Sequence, residues 1–224
     1  MRIDVITIFP ETVQALSQYS ILKRAQEKGL ITVNPVNLRD YTQDKHKQVD
    51  DSPYGGGAGM VLKPEPLFRA VEDLSDPEPD EIIVMSPGGQ RFDQATARTL
   101  SSANHLIFIC GHYEGIDQRV LDHLATMELS IGDYVLTGGE LPAMVVVDAV
   151  ARLLPAVLGN DQSIQDESFQ RGLLEHPQYT RPASFRGLEV PEILLSGHHQ
   201  EIDQWRRDQS VEKTRRVRPE LLDE

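Results

Sequence analysis

Apolar residues in this chain are concentrated in short runs that polar, glycine-containing segments interrupt. The runs are rich in Ile, Val and Leu, as is typical of strands buried on both faces of a parallel sheet. They predict five strands, at residues 1–9, 30–38, 82–86, 105–110 and 134–136. Because helical patterns alternate with these strands, the sequence predicts an α/β layer fold, and ordinary chain topology would make it an unknotted doubly wound sheet.

Helical patterns are expected at residues 11–28, 64–74, 93–101, 116–124 and 141–154. Pro10 stands just before the first of these helices and Gly29 just after it, which is the usual placement of the two residue types. Pro142 fits the first turn of the fifth helix, and Pro155 ends it. Near the end of the chain, the pattern predicts an amphipathic helix at about 198–209 and a last short helix.

The chain divides by composition into three parts. Residues 1–159 carry most of the strand and helix patterns, residues 160–170 are polar with few apolar anchors, and residues 171–224 hold the final helices. The middle part is predicted to be a linker. The last part is too small to bury a core alone, so we expect it to dock on its own domain or on a partner subunit.

The charge balance of the 224-residue chain is acidic, with a formal net charge of −13. This balance argues mildly against a nucleic-acid partner, because phosphate contacts come mainly from Lys and Arg. Residues 205–218 depart from it, since six basic and two acidic side chains give them a local net charge of +4. RNA is therefore expected to bind a local basic patch, although ordinary solvated helix faces explain the same charges.

Apolar stretches long enough for a membrane are missing from the sequence, since none approaches the roughly 20 residues that a spanning helix needs. The first residues also lack the long apolar stretch of a secretory signal. We therefore expect a cytoplasmic protein with no membrane partner. The single cysteine, Cys110, excludes an internal disulfide and is interpreted as a small buried apolar residue.

Three of the apolar runs end in glycine-bearing loops, namely IIVMSPGGQ (82–90), LIFICGHYEG (106–115) and LSIGDYVLTGGELPA (129–143). Loops at the ends of parallel strands are common ligand sites, and glycine lets backbone groups approach a ligand closely. None of the three contains the G-x-G-x-x-G or G-x-x-x-x-G-K-[ST] pattern, so the dehydrogenase and phosphate-loop interpretations lose their main support. The loops predict a site for another kind of ligand.

Longer motifs in the same loops resemble one family. CGHYEGIDQRV (110–120) and SIGDYVLTGGELPA (130–143) are similar to the cofactor loops of the TrmD family of tRNA (guanosine-N1) methyltransferases. The family's order and spacing also match DDSPYGGGAGM (50–60), RLLPAVLG (152–159), HPQYTRP (176–182) and LLSGHH (194–199). The resemblance covers essentially the whole chain.

The resemblance implies a fold and a cofactor. It implies a SPOUT-type domain in which the segment of about 82–140 forms a deep trefoil knot, followed by a small helical C-terminal domain that binds tRNA. It also implies that the three glycine loops surround one pocket for S-adenosylmethionine. The residues expected to bind this cofactor are Met85, Ser86, Pro87, Gly111, Tyr113, Glu114, Gly115, Ser130, Ile131, Gly132, Tyr134, Leu136, Gly138, Gly139 and Pro142.

The reaction implied by the resemblance is methylation of N1 of guanosine-37 in tRNA, next to the anticodon. Three parts are needed for it. A base removes the N1 proton, a cation stabilises the negative charge that spreads onto O6, and the sulfonium cofactor presents its methyl group to N1. No metal ion is required by this chemistry.

Arg152 is the expected cation, although Asp148 four residues earlier also offers it an ordinary ion pair. The expected base is less well defined. The family has an aspartate immediately before Ser-Phe, whereas this chain reads DESF at 166–169. Glu167 holds the aligned position with a side chain that is one methylene longer, and Asp166 is the alternative base.

The resemblance further implies a tRNA site that two subunits share. Asp50, Gly55 and Gly59 are expected to contact the tRNA, unless their glycine-rich segment is simply a mobile loop. Each pocket is expected at the interface of a homodimer, where the linker and tail of one subunit complete the site of the other. His112 stands where the family often has arginine, so its role is open. Two other interpretations are a ribose 2′-O-methyltransferase on the same fold and a noncatalytic RNA-binding module.

Overall fold

A five-stranded parallel sheet lies at the centre of the first of two units into which the chain divides, Met1–Gly159 and Asn160–Glu224. The computed structural model describes residues 1–158, 167–169 and 172–222. The strands of the first unit are β1 (Arg2–Thr7), β2 (Thr32–Asn37), β3 (Asp50–Asp51), β4 (Val61–Leu62), β5 (Glu81–Arg91), β6 (His105–Cys110) and β7 (Met127–Ser130). β3 and β4 form a separate antiparallel pair, and the other five lie in the order β2-β1-β6-β5-β7.

The middle strand of this sheet is β6, and its sequence explains the position. All six residues of β6 are buried. Because side chains alternate between the faces of a sheet, the strand contributes to the core on both sides. Leu106 and Phe108 belong to one apolar cluster, and Ile107 and Ile109 belong to the other. A strand that is apolar at successive positions therefore fits the centre of a parallel sheet covered on both faces.

Helices cover the two faces of the sheet. They are α1 (Pro10–Ser17), α2 (Ser20–Glu27), α3 (Pro64–Leu74), α4 (Gln94–Leu100), α5 (Gln118–His123) and α6 (Glu140–Ala151). α3 packs Leu67 and Val71 into the cluster that contains Ile107, whereas α6 packs Val147 and Val150 into the cluster that contains Phe108. The predicted α/β layer fold is observed in this unit.

The prediction of one helix over residues 11–28 is wrong, because the chain breaks between α1 and α2. Ser20 takes a left-handed backbone conformation with φ of 48° at the break. The Ser17 hydroxyl donates to the carbonyl of Gln14 at 3.1 Å, and the Gln26 side chain donates to the carbonyl of Ser17 at 2.8 Å. Side chains that bond to nearby backbone in this way compete with helix continuation.

The prediction of a strand at residues 134–136 is also wrong. The last strand of the sheet is β7, which ends at Ser130 before this segment begins. Tyr134, Val135 and Leu136 are instead exposed in a loop. Their apolar character imitates a strand, but they lie beside a cavity rather than in the sheet core.

β5 departs from regular pairing at its carboxyl end. Met85 and Gln90 both pair with Leu129 of β7, so the four residues between them leave the sheet and return to the same partner. Gly89 lies against the backbone of Glu128 and Leu129, where an added Cβ would approach to 2.6 Å. The SPGG segment thus forms a loop that projects from the edge of the sheet where β6 and β7 also end.

The second unit contains a short hairpin and one long helix. The hairpin joins β8 (Ser184–Phe185) to β9 (Leu188–Glu189), and α7 spans His199–Val217. The prediction that this helix ends near residue 209 is wrong, because no helix breaker occurs before Pro219. The predicted last short helix is a 3₁₀ turn at Pro219–Leu222.

A small buried contact holds the second unit together. Thr214 of α7 has no exposed surface, and its hydroxyl accepts a hydrogen bond of 2.9 Å from the backbone N–H of Leu174. Lys213 donates to the carbonyl of Glu175 at 2.9 Å. Across both units, no described helix combines the length and the apolar character that crossing a membrane would need.

Candidate functional site

A cavity of about 430 Å³ lies where β5, β6 and β7 end. The loops that follow these strands form its walls, namely residues 86–87 after the first part of β5, residues 111–116 after β6 and residues 131–139 after β7. The carboxyl ends of parallel strands meet at one edge of a sheet, which is why loops far apart in sequence converge here.

All fifteen residues that the sequence predicts as cofactor-binding line this one cavity. They are Met85, Ser86, Pro87, Gly111, Tyr113, Glu114, Gly115, Ser130, Ile131, Gly132, Tyr134, Leu136, Gly138, Gly139 and Pro142. The lining also includes residues that the sequence analysis missed, namely Val84, His112, Ile116, Gln118, Leu121, Glu128, Leu129, Val135 and Thr137. Most of the missed residues are immediate neighbours of predicted ones, so a wider window around each glycine loop would have found them.

Two of the cavity loops touch through their backbones at Gly139. The N–H of Gly139 donates to the carbonyl of Gly111 at 2.9 Å. A Cβ added at Gly139 would lie 2.6 Å from the Cα of Cys110 and 2.8 Å from the N of Gly111. Because both neighbours are backbone atoms that cannot move aside, this position accepts only glycine.

A carboxylate–imidazole pair lies behind these loops. Glu140, the first residue of α6, is 5% exposed. Its oxygens lie 2.7 and 2.8 Å from Nε2 of His112, and the hydroxyl of Thr7 donates to it as well. Negative charge is favourable at a helix N-terminus. No sequence motif predicts this cluster, because Thr7 lies 133 residues from Glu140.

Cys110 is the last residue of β6 and is fully enclosed near the same cluster. Burial raises the pKa of its thiol well above the usual value, and the negative charge of Glu140 raises this pKa further. A thiol needs its thiolate form to react as a nucleophile. Cys110 is therefore a packing residue, as its sequence context predicts, rather than a participant in the chemistry.

The glycine-rich segment 50–60 meets the cavity at one end. The N–H of Glu114 donates to the carbonyl of Met60 at 3.0 Å, and the N–H of Leu62 donates to the carbonyl of Gly115 at 3.0 Å. Gly59 lies against the side chain of Glu114. Asp50 belongs to β3, and Gly55 is exposed in the turn that follows. Of the three residues expected to contact the substrate, the structure thus brings Gly59 next to a cavity residue.

Arg152 lies at the other end of α6 from the cavity. It is the C-cap of this helix, whereas Gly139 and Pro142 at the N-terminal end line the cavity. Ten residues of α-helix separate Pro142 from Arg152, which corresponds to a rise of about 15 Å. The side chain of Arg152 does not line the cavity of its own chain.

Glu167 belongs to the second unit, and Asp166 lies outside the described residues. The segment that follows Glu167 is held by backbone contacts. The hydroxyl of Ser168 accepts from the N–H of Glu175 at 2.9 Å, and the N–H of Phe169 donates to the carbonyl of Leu173 at 2.9 Å. The guanidinium of Arg218 lies 5.7 Å from the centre of the Phe169 ring.

α7 exposes several arginine side chains along its length, interspersed with the exposed carboxylates of Glu201, Asp203, Asp208 and Glu212. Arg207, Arg215 and Arg216 are exposed, and none forms an ion pair with a carboxylate in the described part of the chain. Arg206 differs from them, because it lies 3.4 Å from Asp203. Exposed guanidinium groups without a carboxylate partner are suited to phosphate contacts.

Comparisons with known proteins give one consistent result. Residues 1–224 match the family described as tRNA (Guanine-1)-methyltransferase TrmD. A protein of Staphylococcus carnosus is 59% identical over 222 residues, which cover 99% of this chain and 91% of that protein. One of Halalkalibacterium halodurans is 59% identical over 225 residues, covering 100% of this chain and 92% of that protein. One of Staphylococcus aureus is 57% identical over 223 residues, covering 100% and 91%. All three relatives are named tRNA (guanine-N(1)-)-methyltransferase.

Proposed function

The chain belongs to the tRNA (guanine-1)-methyltransferase TrmD family, and we propose that it methylates N1 of guanosine-37 in tRNA with S-adenosylmethionine as the methyl donor. The observation that carries this proposal is one cavity at the carboxyl ends of β5, β6 and β7. All fifteen residues that are expected to bind the donor lie in the wall of this cavity. Family membership supplies the reaction and the substrate, and the cavity supplies a site where the donor fits.

The size and chemistry of the cavity suit S-adenosylmethionine. Its volume of about 430 Å³ lies within the range of small-molecule sites. Ile116, Ile131 and Leu136 line the cavity without being buried and offer apolar surface to an adenine ring, while the glycines leave backbone N–H and C=O groups open to hydrogen bonds. The carboxylates of Glu114 and Glu128 attract positive charge. When bound, the donor supplies an electrophilic methyl group on its sulfonium sulfur.

A carboxylate from the linker is the proposed base. Removal of the guanine N1 proton needs an acceptor within hydrogen-bond reach of N1, and a carboxylate suits this task. Glu167 is the first choice because it holds the family's aspartate position, with Asp166 as the alternative. The turn at Ser168 and Phe169 supports this choice, because it anchors the chain next to Glu167.

Arg152 is the proposed partner of O6, and its location favours a site shared between two subunits. Its helix carries it about 15 Å away from the cavity of its own chain, which is too far for direct contact. The exposed face of α6 carries Leu141 and Val145, which are 54% and 49% exposed and one helical turn apart. An apolar helix face of this kind is suited to a two-fold interface, where the C-terminal end of one helix approaches the N-terminal end of its partner. We therefore propose a homodimer in which Arg152 and the linker serve the partner's cavity.

Three further features complete the proposal. The exposed arginines of α7 are the proposed contacts with tRNA phosphates, and Asp50, Gly55 and Gly59 are proposed to contact the target nucleotide. Residues 82–140 are proposed to form a trefoil knot, which is supported by the close approach of Gly139 to the backbone of Cys110 and Gly111. A tRNA substrate favours a cytoplasmic location.

Methyl transfer to two matched tRNA transcripts tests the proposed substrate. One transcript carries guanosine at position 37 and the other carries adenosine, and both are incubated with the protein and S-adenosylmethionine labelled in its methyl group. We expect label only in the guanosine transcript. Equal labelling of both transcripts, or labelling of neither, would reject guanosine-37 as the target.

The variants Glu167→Gln and Asp166→Asn test the assignment of the base. Loss of a general base lowers the rate about 100-fold or more. The methylation rate of Glu167→Gln is therefore expected to fall by that amount, while Asp166→Asn is expected to keep most of the activity. Donor affinity is expected to stay unchanged in both variants. The reverse pattern would assign the base to Asp166, and full activity of the double variant would reject a carboxylate base.

A further inference from the structure

The carboxylate of Glu140 is buried, and three parts of the chain meet at it. Thr7 comes from the end of β1, His112 from the loop after β6, and Glu140 from the start of α6. Burying a carboxylate is costly unless hydrogen-bond donors surround it. Here the Thr7 hydroxyl and the His112 ring supply those donors, and the hydroxyl of Thr7 in turn accepts from the N–H of Phe9 at 2.9 Å.

These contacts fix which nitrogen of His112 carries a proton. A carboxylate only accepts hydrogen bonds, and both oxygens of Glu140 lie within 2.8 Å of Nε2. The proton of a neutral His112 ring is therefore on Nε2, and Nδ1 keeps its lone pair. A carboxylate that holds a histidine in one tautomer is a recurring arrangement in enzyme sites.

Nδ1 of His112 is open to a ligand. Nδ1 has no hydrogen-bond partner among the described residues. A buried nitrogen without a partner would belong to the unsatisfied buried atoms of the described part, and Nδ1 does not, so this atom is exposed to solvent. His112 lines the cavity between Gly111 and Tyr113. The ring of Phe9 packs edge-on against the His112 ring at 5.0 Å between centroids, which restricts the rotation of the imidazole.

The same cluster joins two walls of the cavity. The side-chain bond between His112 and Glu140 runs beside the backbone bond between Gly139 and Gly111. The loop after β6 and the start of α6 are thus held by one bond between backbones and one between side chains. A ring held this firmly presents Nδ1 in one direction, which is what selective recognition of a ligand group needs.

We propose that His112 binds the methyl donor, with Nδ1 accepting a hydrogen bond from an amino or hydroxyl group of S-adenosylmethionine. Glu140 and Thr7 are the positioning residues that hold the ring with Nε2 protonated. This inference rests on the proposed function, because it assigns a contact within the proposed donor cavity.

Two conservative variants separate donor contact from general support of the fold. His112→Gln retains an amide that reaches Glu140 in place of Nε2, but it has no acceptor at the position of Nδ1. Glu140→Gln retains the shape of the carboxylate but removes its charge, and its NH2 group can donate to Nε2, so the ring is no longer held in the tautomer with a bare Nδ1. His123→Gln is the matched control, since His123 is exposed at the end of α5 and does not line the cavity.

Calorimetric titration of the original protein and the variants with S-adenosylmethionine is the first measurement. Loss of one hydrogen bond to a charged or polar ligand group weakens affinity by about tenfold, and we expect this loss in His112→Gln and Glu140→Gln but not in His123→Gln. At saturating donor and tRNA, kcat is expected to stay close to that of the original protein, so the effect appears in the donor KM. Unchanged donor affinity in both variants, with melting temperatures equal to that of the original protein, would overturn the proposal.

Nitrogen NMR of the imidazole rings provides a readout that does not depend on variant stability. The His112 signal, identified by its loss in His112→Gln, is expected to show a protonated Nε2 and a bare Nδ1 in the free protein. Addition of S-adenosylmethionine is expected to move the Nδ1 chemical shift toward the value of a nitrogen that accepts a hydrogen bond. A donor-saturated protein whose Nδ1 signal does not move would refute the contact. Failure of the original protein to bind the donor at all would instead reject the proposed function.

Discussion

Arg152 is the residue for which position and proposed role are most tightly linked. It lies at the C-terminal end of α6, while the N-terminal end of the same helix lines the cavity. A guanidinium that pairs with O6 acts mainly when negative charge develops there during the reaction, so it contributes to turnover rather than to donor binding.

Replacement of Arg152 by alanine is expected to lower kcat about 100-fold or more while donor affinity stays nearly unchanged. Arg152→Lys keeps a positive charge without the planar fork, so we expect an intermediate rate. Single-turnover kinetics with saturating S-adenosylmethionine, combined with donor titration, measures both quantities. A tenfold or greater loss of donor affinity in Arg152→Ala would contradict the assigned role.

The sequence predicted the residues that line the cavity better than the groups behind it. Gly111, Gly132 and Gly139 stand in recognisable loop motifs, so their convergence follows from parallel strands that end at one edge. The cluster of Thr7, His112 and Glu140 was missed because its members are joined only by the fold. The base stays a prediction, because Asp166 lies outside the described residues.

The loop between β7 and α6 forms one wall of the cavity, and its packing depends on Gly139. Gly139→Ala is expected to weaken donor binding at least tenfold, because a Cβ at this position would lie 2.6 Å from the Cα of Cys110 and push the two loops apart. Gly88→Ala is the matched control in a neighbouring loop, since its Cβ would meet only Ser86 Oγ at an ordinary 3.7 Å. Calorimetry with S-adenosylmethionine compares them, and equal affinities would contradict the close-packing argument.

α4 begins with a side-chain cap that makes the stability of the first unit sensitive to acid. Asp93 accepts a hydrogen bond of 2.8 Å from the N–H of Thr96, and this bond holds the pKa of its carboxyl below the usual value. Because the pKa is lower in the folded state, the stabilising contribution is present above the ordinary aspartate pKa. It is lost as the pH falls through the folded-state pKa.

Asp93→Ala is expected to lower the free energy of unfolding by about 1 kcal/mol at neutral pH. Asp93→Asn is the control, because asparagine also caps helices but does not titrate. Denaturant unfolding at neutral and acidic pH measures the effect. The deficit of the alanine variant should shrink in acid, and a deficit that stays constant with pH would show that the charged cap is not its cause.

The ends of helices and strands were predicted well where one feature of the sequence determines them. α3 between Pro64 and Leu74 and β6 between His105 and Cys110 have the predicted bounds, because a proline start or an uninterrupted apolar run defines them. The strand expected at 134–136 failed, since a short apolar segment can line a cavity as well as a sheet. The helix expected at 11–28 failed because side-chain bonds at Ser17 break it.

In the proposed homodimer, each site draws residues from two subunits. If Arg152 and the linker serve the partner's cavity, then a variant with a damaged cavity and a variant without Arg152 carry complementary defects. In a mixed dimer of the two, one site combines an intact cavity from one subunit with an intact Arg152 from the other, and the second site carries both defects.

Co-expression of differently tagged Gly139→Ala and Arg152→Ala chains tests this arrangement. At a donor concentration far below the Kd of the Gly139→Ala variant, both homodimers are expected to be nearly inactive, whereas the purified mixed dimer is expected to recover about half of the original activity because one of its two sites is intact. Recovery of tRNA methylation is the readout. A mixed dimer as inactive as the homodimers would mean that each site draws both parts from one chain.

The family could be predicted from sequence because its motifs are long and collinear, and the comparisons confirm this membership. The acidic net charge of −13 argued weakly against a nucleic-acid partner and so against this family. The net charge does not exclude a tRNA partner, because residues 205–218 carry a local net charge of +4. The knot and the dimer stay predictions, because no hydrophobic pattern encodes how a chain threads or pairs.

Identification of the methylated nucleoside decides whether this chain methylates N1 of guanosine-37. The protein is incubated with S-adenosylmethionine and an unmodified tRNA that carries guanosine at position 37, and the product is digested and analysed by mass spectrometry against nucleoside standards. We expect 1-methylguanosine, at position 37 alone. A 2′-O-methylated nucleoside, or methylation at another position, would contradict it, as would binding of both substrates without any methylated product.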